Sequence, residues 1–358
     1  MSNTWRLIDK GGLSATDCLT LPTALAKGVA AGAPNTVAIY FPLETFVSIG
    51  AEQEVRQAVD LDYCQANKIP VWRRTTGGGA LYVDNQQIFY SVAYRLDEPL
   101  PNNLDQLYND WLQPLQRACR QLNVPAQYQQ YNRLQLGQYQ IAGAVASLVD
   151  GVLLFTANLL VNLSQENVDD ALGIAAGGDR GRPLTSMRHE YEGHGPPDEV
   201  EIRMELRRQF EGLLAITLEP GEPSDAERQA AAELRATLED DGWLYSVDER
   251  AAAMRDQPQT DGVRVWRNRR RTEGGLLDLT LVTQNSCIKD VQFTGSPLFL
   301  QSDGLRQVEN YLRGCFLSPA AVGERVINLY QTVGLKSAGT NPADFLILIG
   351  DTIDQMAP

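Results

Sequence analysis

Groups able to do chemistry are most concentrated at Arg73-Arg74-Thr75-Thr76-Gly77-Gly78-Gly79. Three successive glycines leave the main chain without side chains above it. A ligand can lie on such a backbone, and its anionic groups can meet exposed N–H donors. Two arginines at the entrance add fixed positive charge and forked donors suited to carboxylate or phosphate. A plain glycine turn with two solvated arginines is the alternative for the same residues. Ile69-Pro70-Val71-Trp72 before the loop and Ile88-Phe89-Tyr90-Ser91-Val92-Ala93-Tyr94 after it are apolar, β-branched and aromatic, so strands flank the glycines.

A second set of polar positions lies downstream, at Asn132-Arg133, at Gln140-Ile141-Ala142-Gly143 and at Asn158. Strands must carry them. Asp150-Gly151 supplies a hairpin turn, and Val152 to Leu163 returns as a long strand. Leu104 to Leu122 has the apolar spacing of an amphipathic helix. Upstream, Ser14 to Ala31 has helical spacing that Pro22 should start, kink or interrupt. Thr36 to Phe41 and Phe46 to Gly50 read as paired strands, and Val55 to Asn67 as one helix. Asp198 to Ile216 and Asp225 to Leu238 read as helices, the latter with Ser224 as N-cap. Asp248 to Arg271 is polar and charge-rich, as a linker would be. Leu276 to Val282 and Cys287 to Phe293 then form a hairpin about Asn285-Ser286. Short helices follow at 304–312, 320–333 and 342–349.

Arg-Arg-x-Thr-Gly-Gly-Gly after a strand resembles the signature loop of the lipoate-protein ligase A family, which groups with biotin protein ligases and octanoyltransferases. Ile-Ala-Gly-Ala at 141–144 resembles that family's lysine-bearing strand. Asn158-Leu159-Leu160-Val161-Asn162-Leu163 resembles the strand beneath the nucleotide, and Pro183 to Arg188 the loop that covers the adenylate. The resemblance implies an α/β (α+β) fold: a mixed, mostly antiparallel sheet flanked by helices, with a small C-terminal α+β accessory domain. It implies a ligase-like domain over 1–247, a linker over 248–271 and an accessory domain over 272–358. It also implies lipoate or octanoate as acyl group, ATP with magnesium, and a lipoyl-accepting domain or a ligase subunit as partner. Acyl and nucleotide contacts would fall on Arg73, Arg74, Thr76, Gly77, Gly78, Gly79, Asn132, Gly143 and Asn158, and the catalytic position on Gln140. Arg180, Arg182 and Arg188 would cover a nucleotide or decorate a loop.

The same resemblance exposes departures. The family's lysine position is Gln140, which can donate a hydrogen bond but carries no charge. No lysine lies between Lys68 and Lys289. The family's Asn-Asp pair is Asn132-Arg133, a carboxylate replaced by a cation, which opposes metal binding. The histidine that often follows the glycines is Val83. Three readings stay open: an active ligase, a non-catalytic relative that binds an acyl group or its acceptor domain, and a cysteine-dependent acyltransferase with Cys64 or Cys119 as nominal nucleophile.

Composition bounds these readings. The chain has 358 residues, which suggests two domains. Its net charge of -14 disfavours a general nucleic-acid binder. The absence of a long apolar run and of a secretory start leads to the expectation of a cytoplasmic protein without membrane spans. Five dispersed cysteines without a CxxC pair suggest buried thiols rather than disulfides or zinc, and two histidines argue against a His-centred metal site. Arg267-Asn268-Arg269-Arg270-Arg271 is either a solvated face or a contact for an acidic partner.

Overall fold

The computed structural model describes residues 3–96, 99–101, 103–173, 183–191, 197–260 and 262–355. In chain order the strands and helices are β1 (Thr4–Leu13), α1 (Ala15–Ala30), β2 (Thr36–Pro42), β3 (Phe46–Ile49), α2 (Val55–Ala58), α3 (Leu61–Ala66), β4 (Val71–Arg73), β5 (Leu81–Val83) and β6 (Gln87–Arg95). Then come α4 (Leu104–Gln121), β7 (Gln127–Gln129), β8 (Arg133–Leu136), β9 (Tyr139–Val149), β10 (Val152–Leu160), α5 (Gln165–Ala171), α6 (Met187–Glu190), α7 (Glu199–Leu214), β11 (Thr217–Pro220), α8 (Asp225–Leu238) and α9 (Asp241–Arg255). The tail holds β12 (Arg264–Thr272), β13 (Gly275–Gln284), β14 (Cys287–Gly295), β15 (Leu298–Phe299), α10 (Gly304–Leu312), α11 (Pro319–Asn328), β16 (Ser337–Ala338) and α12 (Pro342–Asp354).

Two compact units result, one of residues 1–48, 59–72 and 81–240, the other of 49–58, 73–80 and 241–358. The first is built on an eight-stranded sheet in the order β11-β1-β2-β6-β10-β9-β8-β7. Only the pairs made by β1 are parallel, so the sheet is mixed and mostly antiparallel. Helix α1 packs on β6, β10 and β2, while α4 packs on β7, β8 and β9 and against α7. Ile8, Leu25, Val29, Tyr40, Phe89 and Leu154 fill the core under α1. The β9–β10 turn places Asp150 at φ 50° and Gly151 at φ 81°, the left-handed pair that a two-residue hairpin demands.

Three local expectations are corrected, and one strand had no expectation at all. Helix α1 runs unbroken through Pro22. The one lost backbone hydrogen bond is offset by the burial of Leu21, Pro22, Leu25 and Val29. The strands at 36–42 and 46–49 do not pair with each other. Both edges of β2 are taken, by β1 and β6, and β3 joins β4 and β5 in a separate sheet. The expected helix over 55–67 divides, because Asp60 caps a new start by accepting from Tyr63 N at 2.8 Å. Strand β1 escapes the pattern reading because Asp9-Lys10-Gly11-Gly12 interrupts its alternation. The register shifts there, with Gly11 at φ 63°.

The second unit contains the β12-β13-β14 meander and its three helices, with Leu279, Leu281, Phe293, Val308, Leu312 and Phe345 among its core. Most of the stretch expected as a linker is ordered as α9 and β12. Several of its charges are partnered within the unit. Asp248 accepts from Val55 N at 2.8 Å and Arg56 N at 3.1 Å, and Arg250 grips Glu309 through two 2.8 Å bonds. Residues 49–58 and 73–80 also belong to this unit, so its makeup differs from a division at 247 and 271.

Candidate acyl-binding site

The glycine loop belongs to the second unit. Arg73 is fully buried, and burial pulls its guanidinium down to about 10. Its Nε donates to the carbonyls of Trp243 and Leu244, its Nη1 to those of Gly50, Ala51 and Gln53, and its Nη2 to Leu244 again at 2.6 Å. Asp248 lies 3.6 Å away. Every nitrogen is committed to protein, which corrects the expectation that Arg73 presents a fork to a ligand. Arg74 is buried too. Its Nη2 donates to Gly77 O at 2.6 Å and Gly79 O at 2.8 Å, so it shapes the loop from inside.

The glycines serve close packing. A Cβ at Gly77 would lie 3.2 Å from Pro297 O, and one at Gly50 only 2.0 Å from Gly78 O. Gly78 sits at φ 86°, which favours glycine, while Gly79 is exposed. Thr76 contributes its carbonyl to Ala51 N at 3.0 Å. At Gly77 and Gly78 the backbone therefore faces protein rather than the open cradle expected.

In the first unit, four sequence-flagged residues, Arg133, Gln140, Gly143 and Asn158, fall on one face of the sheet. Gly143 pairs with Asn158 across β9–β10 and with Arg133 across β8–β9. Directly paired residues share a face of the sheet. Residue 140 would normally face the opposite side from 143. A register shift between Leu134 and Gln135 pairs Gln135 with Gln140, so the extra residue in β9 returns Gln140 to the face of Gly143. Its side-chain nitrogen then lies 3.1 Å from where a Gly143 Cβ would stand, and Asn158 Oδ1 lies 3.4 Å from that point. The 183–185 segment fixes the main chain here. Gln140 N donates to Pro183 O at 2.9 Å, and Thr185 N donates to Gln140 O at 2.9 Å.

Beneath this floor runs a buried amide chain. Gly143 N donates to Asn158 Oδ1 at 3.2 Å, Asn158 Nδ2 to Gln87 Oε1 at 3.0 Å, and Gln87 Nε2 to Tyr82 O at 2.8 Å. Gln87 is 1% exposed, and the sequence pattern did not place it in the site. Its signal was a glutamine opening an otherwise apolar strand. Asn132 clamps the backbone. Its Nδ2 donates to Ala144 O at 2.8 Å while its carbonyl accepts from Ala144 N at 2.8 Å. Those two bonds set the start of β8. Arg188 donates its backbone N–H to Val161 O and its side chain is exposed, whereas Arg180 and Arg182 lie outside the described residues.

Neither nominal nucleophile is an activated thiol. Cys64 and Cys119 are buried, and burial pushes their thiols up to about 11 and about 12. No described helix is long and apolar enough to cross a membrane.

Residues 14–201 match the lipoyl protein ligase A/B catalytic domain. The chain belongs to that family. Among the relatives of this lipoyl ligase family member is octanoyltransferase LipM of Symbiobacterium thermophilum, 26% identical over 272 residues that span 68% of this chain and 98% of that protein. Lipoate-protein ligase A subunit 1 of Thermoplasma acidophilum is 26% identical over 201 residues, 52% of this chain and 76% of that protein. Among solved structures, P. falciparum LipL1 in complex with lipoate covers 98% of this chain and 99% of its own at a TM-score of 0.71 and 14% identity. The bi-partite lipoate protein ligase of T. acidophilum, described with its E2 lipoyl domain, reaches a TM-score of 0.57 at 22% identity, covering 68% of this chain and 97% of its own. At such identities the structures establish the fold, the mixed sheet flanked by helices.

Proposed function

We propose that the protein binds a lipoyl or octanoyl group and acts with a lipoyl-accepting domain or an active ligase subunit, without itself making an acyl-adenylate. One observation carries the reading: the group lying over the Gly143 floor, beside Asn158, is the neutral amide of Gln140. An amide can hold an acyl carbonyl. It cannot neutralise the charge that builds as a carboxylate meets the α-phosphate, a stabilisation that typically amounts to about 3–4 kcal/mol per removed donor in comparable sites. A magnesium nucleotide does not fit these residues either, because the family's carboxylate position is the guanidinium of Arg133. No step through ATP or a metal is assigned to this chain.

Several features support the rest. The glycine floor, with donors and acceptors at its edge, suits a carbonyl head group, and the family matches are lipoate ligases and octanoyltransferases. The T. acidophilum ligase is described together with a lipoyl domain, which supports a partner of that class. A thioester route has less support, since Cys64 and Cys119 are buried with raised thiols. The test incubates the protein with lipoate or octanoate, Mg-ATP and a lipoyl domain, beside a Gln140→Lys variant. The reading expects acyl binding by calorimetry and no ATP–pyrophosphate exchange in the wild type. Exchange or acyl transfer by the unmodified chain would overturn it.

A further inference from the structure

Five of the nine residues of β12 are arginines, in a chain whose net charge is -14. We propose that β12 is a docking strand: its outer edge accepts an extended segment of a partner protein in which every second residue is Asp or Glu. This inference goes beyond the acyl-binding reading and does not rest on it, since it concerns another sheet in the other unit.

The strand is paired on one side. β12 ends the order β12-β13-β14, and among the described residues no strand pairs with its outer side. The ladder to β13 runs without a register shift from Arg264 opposite Thr283 to Thr272 opposite Gly275. In such an antiparallel ladder, alternate residues turn both main-chain groups towards the neighbouring strand or away from it. Arg269 identifies the set that points away. Its N–H donates at 2.8 Å to the side-chain oxygen of Asn268, the preceding residue, rather than to β13. Val265, Arg267 and Arg271 fall in the same set by alternation. The main-chain groups that a further strand would bond therefore belong to 265, 267, 269 and 271.

The side chains of that set carry the charge. The alternate set is tied to α12 on the opposite face: Asn268 Nδ2 donates to Thr352 Oγ1 at 3.1 Å, and Arg270 Nε to Asp344 at 3.1 Å. Arg267, Arg269 and Arg271 are exposed, and successive ones stand roughly 7 Å apart at the rise of a strand. Asp278 pairs with Arg269, while Arg267 has no ion-pair partner among the described residues. Arg269 also donates to Gln57 at 2.9 Å. The adjoining Arg56 is exposed as well, its guanidinium 5.1 Å from the ring centre of Tyr245, and it widens the positive area. A residue directly opposite on an added strand stands about 5.5 Å away, Cα to Cα, with its side chain on the same face. Carboxylates at every second position would thus meet Arg267, Arg269 and Arg271 in turn. Charge also rejects other occupants. A second copy of β12 would set arginine against arginine, and charged edges keep uncharged strands away.

The experiment titrates the full chain at low salt into a fluorescein-labelled peptide of alternating glutamate and threonine, read by polarisation. Two further peptides serve as controls: the same one N-methylated at its glutamates, which keeps the charge and removes the strand hydrogen bonds, and a lysine–threonine version. An Arg267→Thr chain is compared, with melting curves, because threonine suits a strand and removes only the charge. The expected result is saturable binding of the glutamate peptide, with hydrogen exchange slowed over 264–272. Arg267→Thr should weaken it about threefold, N-methylation about tenfold, and salt at about 0.5 M should weaken it further. The lysine peptide should not bind. No binding of the glutamate peptide overturns the inference and leaves the acyl-binding reading standing. Equal binding of the N-methylated peptide also overturns it, since charge alone would then hold the ligand. A dimer in sedimentation whose contact protects 264–272 from exchange would assign the edge to a second copy and overturn it as well.

Discussion

Replacing Arg73 by lysine separates an anchoring role from a ligand-binding one. The guanidinium of Arg73 reaches five different backbone carbonyls, those of Gly50, Ala51, Gln53, Trp243 and Leu244. Lysine keeps the charge but has one nitrogen with three donors, so at least two of the five carbonyls lose their bond to the cation. A hydrogen bond to a charged group contributes about 1.5–3 kcal/mol, which gives a loss of about 3–6 kcal/mol for two, although Gly50 O and Trp243 O each keep a second donor, Gln53 N and Ser246 Oγ. Against a typical domain stability of about 5–15 kcal/mol, that is a large fraction. Hydrogen exchange read by mass spectrometry on the full chain is the suitable assay, because it reports each segment separately. Residues 49–58, 73–80 and 241–248 should exchange faster in Arg73→Lys, while β6 and β10 should keep their protection. An anion clamp would behave otherwise, with unchanged exchange and weakened ligand affinity. Wild-type protection of those three segments in the variant would refute the anchoring argument.

Three further outcomes are expected. Gly143→Ala places a methyl 3.1 Å from the Gln140 amide without requiring a left-handed backbone. The chain should melt within a few degrees of wild type yet bind octanoate about tenfold more weakly, and adding Gln140→Ala should recover part of that loss in the same titration. Iodoacetamide at pH 8 should leave Cys64 and Cys119 unmodified in the native chain and label both in urea, since burial raises their thiols to about 11 and about 12. A thioester on either, seen by mass spectrometry, would contradict this. Glu227 is buried, which raises its carboxyl, but hydrogen bonds from Arg6 and Ser224 outweigh burial and hold it below its ordinary 4.5. The stability it contributes is therefore fully present above that value and lost as pH falls through the lower folded one. Glu227→Gln should cost about 3–5 kcal/mol at pH 7 and flatten the fall in urea stability between pH 5 and 3; an unchanged acid profile would count against the pair.

Much of the framework was legible from local pattern. The 104–122 helix, the β9–β10 and β13–β14 hairpins, and the Ser224 cap all rest on signals a few residues long. The glycines and arginines at 73–79 likewise stand out by type alone. What they do was not legible, because the carbonyls that Arg73 satisfies lie 20 to 23 residues before it and 170 to 171 after it. The pairing of β2 escapes local pattern for a similar reason: its partners β1 and β6 are set by sheet order, not by the nearest strand in sequence.

By itself the sequence determined the family-like loop, the run without lysine from 69 to 288, and hence the neutral group at position 140. These are matters of residue identity, which folding does not change. Tertiary structure alone decided which polar residues meet. A single extra residue in β9 turns Gln140 onto the face of Gly143 and Asn158, and strand pairing brings Arg133 beside them. Side-chain direction alternates along a strand, so one shift in register reverses a face, and register is fixed by packing across the whole sheet rather than by neighbours in the chain.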